Sequence, residues 1–229
     1  MKTKAVMGIK HYYMENGQED LTGRLMNYRF RWLEKLGIPR HGYLHLWGRS
    51  GDWYVFPYRK YGTTEGKEDT DSKRIRAFWA FLDGDMRYRP YFYKIYLRAV
   101  RQLLWITKRV WSFEIASVPR SDPSAENPVR SICSKIAKKE EFLFTFTYDG
   151  TDLLKRTKKV VPVHRGGRFT IDEIEKSIQC TRRPKSDLII LVDDLVYSGR
   201  TIEACRRVLK RAGAKKVYSI CLYGYRRED

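Results

Sequence analysis

The residues best placed to do chemistry lie in one run, Leu188-Ile-Ile-Leu-Val-Asp-Asp-Leu-Val-Tyr-Ser-Gly-Arg-Thr-Ile-Glu-Ala-Cys. Residues 188–192 are uninterruptedly apolar, the pattern of a strand covered on both faces. Asp193 and Asp194 follow at its C-terminal end, the edge at which open α/β sheets bind ligands. Tyr197-Ser-Gly-Arg-Thr then leads into a helix whose apolar positions, Ile202, Cys205, Leu209 and Ala212, recur at three, four and three residues. A strand-to-helix loop directs free amide N–H groups at one point, where the helix dipole favours an anion. Gly199 lets the backbone come close to a phosphate, and Ser198 and Thr201 add hydroxyl donors. Two carboxylates just before such a nest repel a phosphate but suit sugar hydroxyls, which donate. The chemistry that fits is a sugar phosphate along the sheet edge, with its hydroxyls on the acids and its phosphate on the amides.

The elements around this run divide the 229 residues into two textures. Residues 1–111 hold all six Trp and most of the Tyr, interleaved with Arg and Lys. Spacings of three and four predict helices over 21–36, 73–82 and 90–110, and two strands, 43–47 and 52–58, flank a Gly48-Arg-Ser-Gly turn. Residues 62–72 read as a polar loop. The second half alternates regularly. Strands are expected at 113–118, 142–147, 188–192 and 217–222, and helices at 128–139, from 171, and at 201–212. The stretch 151–176 reads as basic and irregular. Strand, helix, strand, repeated, is the pattern of a parallel α/β sheet flanked by helices.

Composition narrows the function. Lys and Arg number 46 against 27 Asp and Glu, a formal charge of +19, so polyanions are favoured partners. The excess is present in both halves. No apolar run approaches the roughly 20 residues of a membrane helix, and no apolar stretch follows the charged N-terminus, so the expected location is cytoplasmic with no membrane partner. Cys133, Cys180, Cys205 and Cys221 form no CxxC pair and read as buried or half-buried thiols rather than a zinc site or disulfide framework. His41 and His45 fall on a strand and turn, a poor frame for a metal pair. An apolar strand ending in Asp-Asp also occurs in nucleotide triphosphatases, but the phosphate loop GxxxxGK[ST] that such a reading needs is absent.

The run through Thr201 resembles the 5-phosphoribosyl-1-diphosphate (PRPP) motif of type I phosphoribosyltransferases: four hydrophobics, two acids, a hydrophobic, two variable places, Ser or Thr, Gly or Ala, a variable place, Ser or Thr. The resemblance implies that Asp193 and Asp194 hold the ribose 2- and 3-hydroxyls and serve catalysis. It implies that Tyr197, Ser198, Gly199, Arg200 and Thr201 bind the 5-phosphate. Ser117-Val-Pro-Arg-Ser-Asp stands where that family binds pyrophosphate, which singles out Pro119, Arg120 and Ser121. A basic hood normally lies between the two motifs, and Arg156, Lys158, His164 and Arg168 occupy that place. The set is most similar to the amidophosphoribosyltransferase-like branch that includes ComF-like competence proteins. The implied fold is α/β and type I phosphoribosyltransferase-like over 90–229, with residues 1–89 an α+β N-terminal extension covering the acceptor side. The implied activity is transfer of a phosphoribosyl group to or from an unidentified acceptor. The implied ligands are PRPP or a nucleotide with Mg²⁺, the ion held mainly by the ligand and not directly by the protein. The fold often dimerises, which leaves a homodimer open. Two departures stand out. Tyr197 replaces the acid that several nucleobase-salvaging members carry, and the four-cysteine zinc module that begins many ComF-type proteins is missing. Those departures, with the charge, favour as the alternative a non-catalytic regulator or a nucleic-acid-binding protein.

Overall fold

The computed structural model describes residues 47–49, 52–58, 70–106, 111–139, 145–160 and 169–225. The helix expected at 21–36, the histidines at 41 and 45, most of the first expected strand and the hood residues His164 and Arg168 lie outside the described residues.

Two short strands, β1 (Trp47–Arg49) and β2 (Asp52–Tyr58), pair antiparallel, and Gly48 and Arg49, expected in the turn, belong to β1. Helix α1 (Thr70–Leu82) starts inside the expected loop and is joined by a 3₁₀ turn, Met86–Tyr88, to the long α2 (Arg89–Ile106). Then follow β3 (Ser112–Ser117), α3 (Pro128–Lys139), β4 (Phe146–Asp149), β5 (Leu154–Arg156), α4 (Ile171–Glu175), β6 (Ile178–Cys180), β7 (Leu188–Val196), α5 (Arg200–Arg211) and β8 (Lys216–Tyr225). The main sheet has the order β1-β2-β8-β7-β3-β4, parallel throughout except at β1. The parallel sheet flanked by helices that the alternation predicts is therefore present. β2, from the aromatic first half, is one of its parallel strands.

Alternation along β7 builds two cores. Leu188, Ile190 and Val192 face one side, where they pack with Phe78 and Phe81 of α1, Phe92 and Tyr96 of α2, and Ile132 and Ile136 of α3. Ile189 and Leu191 face the other, against Ile202, Cys205 and Leu209 of α5. A side-chain period of two sends successive residues to opposite faces, so an unbroken apolar run is what a strand covered on both sides needs.

Three readings need correction. β7 does not end at Val192. Its ladder with β8 runs on to Val196 opposite Gly224, because β8 itself continues to Tyr225, so Asp193 and Asp194 lie within the strand. Asp is a poor strand former, and only the neighbouring ladder carries it. Second, the segment read as irregular holds β5, which pairs antiparallel with β6 in a separate two-stranded sheet. Three-residue strands are too short to show a period. Third, β4 is at Phe146–Asp149, later than expected.

Candidate active site

The position of the site follows from the connections. β3 crosses through α3 outward to β4, while β7 crosses through α5 in the opposite direction to β8. The two strands are parallel neighbours, in register at Glu114–Ile189 and Ser117–Val192. The chain therefore leaves their C-terminal ends in opposite directions and opens a crevice between them, the place where such sheets hold ligands. A cavity of about 630 Å³ lies there, lined by Asp193 and Asp194, by Tyr197–Thr201, by Pro119, Arg120 and Ser121, and by Arg156.

On the β7 side, backbone donors reach the acids. Asp194 N–H donates to Asp193 Oδ1 (3.0 Å), Leu195 N–H to Asp194 Oδ1 (2.6 Å), and the Tyr96 hydroxyl to the Asp193 carbonyl (2.7 Å). Both carboxylates are half-buried. Desolvation pushes the Asp193 pKa well above the usual carboxylate range, and the neighbouring Asp194 charge adds to the rise, against a weaker pull from Arg156. The Tyr96 hydroxyl is likewise pushed up, first by burial and then by the Asp194 charge.

After the strand, Gly199 takes φ +72°, a left-handed conformation that costs any other L-residue about 1–2 kcal/mol. A Cβ there would project into open space. Gly199 supplies no side-chain cap to α5. The first-turn amides of Arg200, Thr201 and Ile202 have no i−4 partner inside the helix, and these three residues line the cavity. Ser198 and Tyr197 are exposed at its rim. The Arg200 guanidinium turns away from the nest to donate to the Phe169 carbonyl (3.1 Å).

The opposite wall is a pre-shaped loop, residues 118–127. Val118 N–H bonds Val192 O (2.8 Å). Asn127 caps α3 through Oδ1 and donates Nδ2 to Val118 O (2.9 Å). Asp122 Oδ1 accepts from the Ser124 amide and hydroxyl. Lys159 reaches Asp122 Oδ2 at 2.5 Å and, with the Ser124 bonds, holds that carboxyl well below its ordinary pKa. Arg120 is half-buried and donates to the carbonyls of Glu126 (2.8 Å) and Leu82 (3.3 Å).

The hood assignment changes. Arg156 sits on β5, 4% exposed, and donates to Ser177 Oγ (2.7 Å), Arg120 O (3.2 Å) and Pro119 O (3.3 Å). It braces the loop from beneath instead of arching over it, because inward alternation on β5 turns Leu154 and Arg156 to the same side. Lys158 is exposed and does not line the cavity. Trp79, Leu82 and Asp83, at the end of α1, do line it. The motif gives no signal for them; they arrive through tertiary packing alone. All four cysteines are free, three of them buried, and burial pushes the Cys205 thiol up to about 12.

Residues 156–229 match the family model of the phosphoribosyl transferase domain. The match spans about a third of the chain and contains both acids and the whole Tyr197–Thr201 loop. The α/β fold of phosphoribosyltransferase type expected from the sequence agrees with it. Among solved structures, a purine phosphoribosyltransferase from Pyrococcus horikoshii is similar, at 15% identity and a TM-score of 0.31, covering 62% of this chain and 84% of that one. No curated protein sequence matches. Among the described residues no helix is long and apolar enough to cross a membrane.

Proposed function

We propose that the cleft binds PRPP, or a nucleotide containing ribose 5-phosphate, and moves the phosphoribosyl group between pyrophosphate and an acceptor. The observation that carries this reading is the convergence of three chemistries on one cavity: two carboxylates for ribose hydroxyls, bare amides beside Gly199 for the 5-phosphate, and the loop at Pro119–Ser121 for pyrophosphate. In the forward direction the bond from C1 to the pyrophosphate oxygen breaks, and that oxygen keeps the electron pair. The acceptor's lone pair then forms the new bond to C1. Positive charge develops on the ribose ring between these events, and Asp193 and Asp194 lie on the sugar side to stabilise it. Burial and the Asp194 charge raise the Asp193 pKa, and a cation developing beside it would pull that pKa back down.

Among the described residues no three His, Cys, Asp or Glu gather into a metal cage. Two adjacent carboxylates together with phosphate oxygens of a ligand suit Mg²⁺, which keeps much of its water and takes few protein donors. The ligand's oxygens would hold it in the main, with Asp193 and Asp194 beside it, and it would supply charge neutralisation on the departing pyrophosphate. Tyr197 stands where an acid would act as base, so the proton of the acceptor has to leave by another route. The cleft-lining end of α1, with Trp79 and Asp83, is the acceptor side of this reading.

Calorimetric titration of PRPP with Mg²⁺ tests the proposal. Wild-type protein binds at sub-millimolar concentration, and Asp193→Asn with Asp194→Asn loses at least tenfold in affinity, about 1.4 kcal/mol. Absence of binding at millimolar PRPP removes the proposal.

A further inference from the structure

The charged residues of the covering helices are not shared evenly between the two faces of the sheet. Helices α1, α2 and α3 cover one face, and their sequences hold eleven Lys and Arg against a single acid, Asp71. α2 and α3 have no acid at all. On the other face α4 and α5 hold five cations and four acids, and three of the cations pair: Arg206 with Glu203 (2.5 Å), Arg207 with Asp172 (2.9 Å), and Arg211 with Glu175. The helices of the first face therefore carry the larger formal excess of cations, although Lys138 of α3 pairs with Asp149 (3.4 Å). α2 runs through its middle. Phe92 meets Phe78 and Phe81 of α1 at ring-centroid distances of 6.1 and 5.0 Å. On its other side Arg89 donates to Ser131 O (3.4 Å), and Lys135 of α3 stands 4.1 Å from the Tyr93 ring.

Along α2 the outward residues are Tyr91, Lys94, Arg98 and Arg101, at spacings of three, four and three, which is one helical face. All four are exposed, Tyr91 at 46%. Among the described residues Lys94 and Arg98 carry no ion pair. Arg76 of α1 and Arg130 and Lys138 of α3 are exposed on either side. A row of cations led by an exposed aromatic ring has the two elements that hold single strands, backbone neutralisation and base stacking. A lipid surface asks for several exposed apolar side chains such as Trp, Phe and Leu on one helical face, and on α2 Tyr91 is the one large apolar side chain exposed among the described residues.

We propose that the outer face of α2, flanked by α1 and α3, binds single-stranded nucleic acid, with Lys94, Arg98 and Arg101 on phosphates and the Tyr91 ring stacking against a base. The surface is separate from the cleft and does not depend on its ligand.

Fluorescence anisotropy with a labelled oligothymidylate tests it on the full chain. Affinity falls with salt at a log–log slope of about −2 to −3, the value for three or four neutralised phosphates of a single strand. Lys94→Glu with Arg98→Glu weakens binding about tenfold or more. Lys210→Glu with Lys216→Glu, the same change of charge at exposed positions outside this face, weakens it less than about twofold. Tyr91→Ala costs about fivefold or more with the salt slope unchanged. Lys94→Gln with Arg98→Gln gives an intermediate loss and replaces the glutamate pair should that variant melt early. Asp193→Asn with Asp194→Asn binds the oligonucleotide as wild type does, so this proposal and the PRPP reading fail separately. No binding at low salt, equal losses in the two charge-reversed pairs, or charge-sensitive binding to phosphatidylserine vesicles without binding to the oligonucleotide overturns it.

Discussion

On the proposed reading, function and stability oppose each other at Asp193. Its carboxyl is desolvated, stands beside a second carboxylate, and has its pKa raised by both. A carboxyl whose pKa is higher in the folded than in the unfolded chain takes up protons on folding. It is therefore neutral to stability at low pH and costs stability as the pH climbs through its unfolded value towards its folded one. Asp193→Asn removes that cost. Thermal melts of the variant should match wild type near pH 3 and exceed it by roughly 2–4 °C near pH 7, the shift of about 1 kcal/mol in a chain of this size. A variant that melts lower at neutral pH shows that Asp193 is stabilised by its surroundings instead. The site is then not held under the electrostatic load that a cation-binding carboxylate pair implies.

Among the elements, the loop after β3 and the start of α5 matter most, and they are held in different ways. The α5 terminus is left bare, its glycine contributing no cap. The 118–127 loop is tied down by Asn127, by Asp122 with its Ser124 and Lys159 partners, and by Arg156 beneath it. Arg156 is the decisive brace, since a buried guanidinium bonded to two loop carbonyls fixes both the path and the charge of that wall. Arg156→Met keeps most of the volume and leaves the carbonyls of Pro119 and Arg120 without this donor. It should cost about 2–3 kcal/mol in urea denaturation and weaken pyrophosphate more than ribose 5-phosphate in calorimetry. Equal weakening of both ligands would show that the brace acts on the whole fold and not on that loop. The far end of the sheet is braced in another way. Glu114, fully buried, accepts from Arg182 Nη2 (2.6 Å) and Lys185 N–H (2.7 Å), and Gly150 has no room for a Cβ, which would stand 2.7 Å from Glu114 Cγ.

At the scale of the whole molecule, the aromatic first half and the motif-bearing second half share an interior. β2 pairs in parallel with β8 from Asp52 opposite Ser219 to Tyr58 opposite Tyr225, and Phe78 of α1 lies 4.6 Å, ring to ring, from Tyr223. Val55, Phe78 and Phe81 are buried in the common core. Large apolar side chains contribute about 1.5–3 kcal/mol each when fully buried, against a typical net stability of about 5–15 kcal/mol. A chain beginning at residue 84 should therefore lose its cooperative thermal transition, read by circular dichroism. A truncated chain that melts within a few degrees of the full one would mean that the shared core contributes little. Charge also sorts at this scale, since α1, α2 and α3 hold eleven cations and one acid while α4 and α5 hold five and four.

The alternation of apolar runs with helical spacings was enough to place β3, β7 and β8 and the helices α3 and α5, because burial on two faces demands an unbroken apolar strand and burial on one face demands a stripe. The same run carried the acids and the glycine loop, whose chemistry depends on local order along the chain. Tertiary structure decided what local order cannot. β7 outlasts its apolar residues because β8 extends beside it. Arg156 became a buried brace because β5 turns inward, though its sequence reads as one more surface cation. Trp79 and Asp83 reached the cleft, and Arg207 and Arg211 of α5 met Asp172 and Glu175 of α4, through contacts between residues far apart in the chain. Such contacts are set by how the layers pack, and no window of sequence contains both partners.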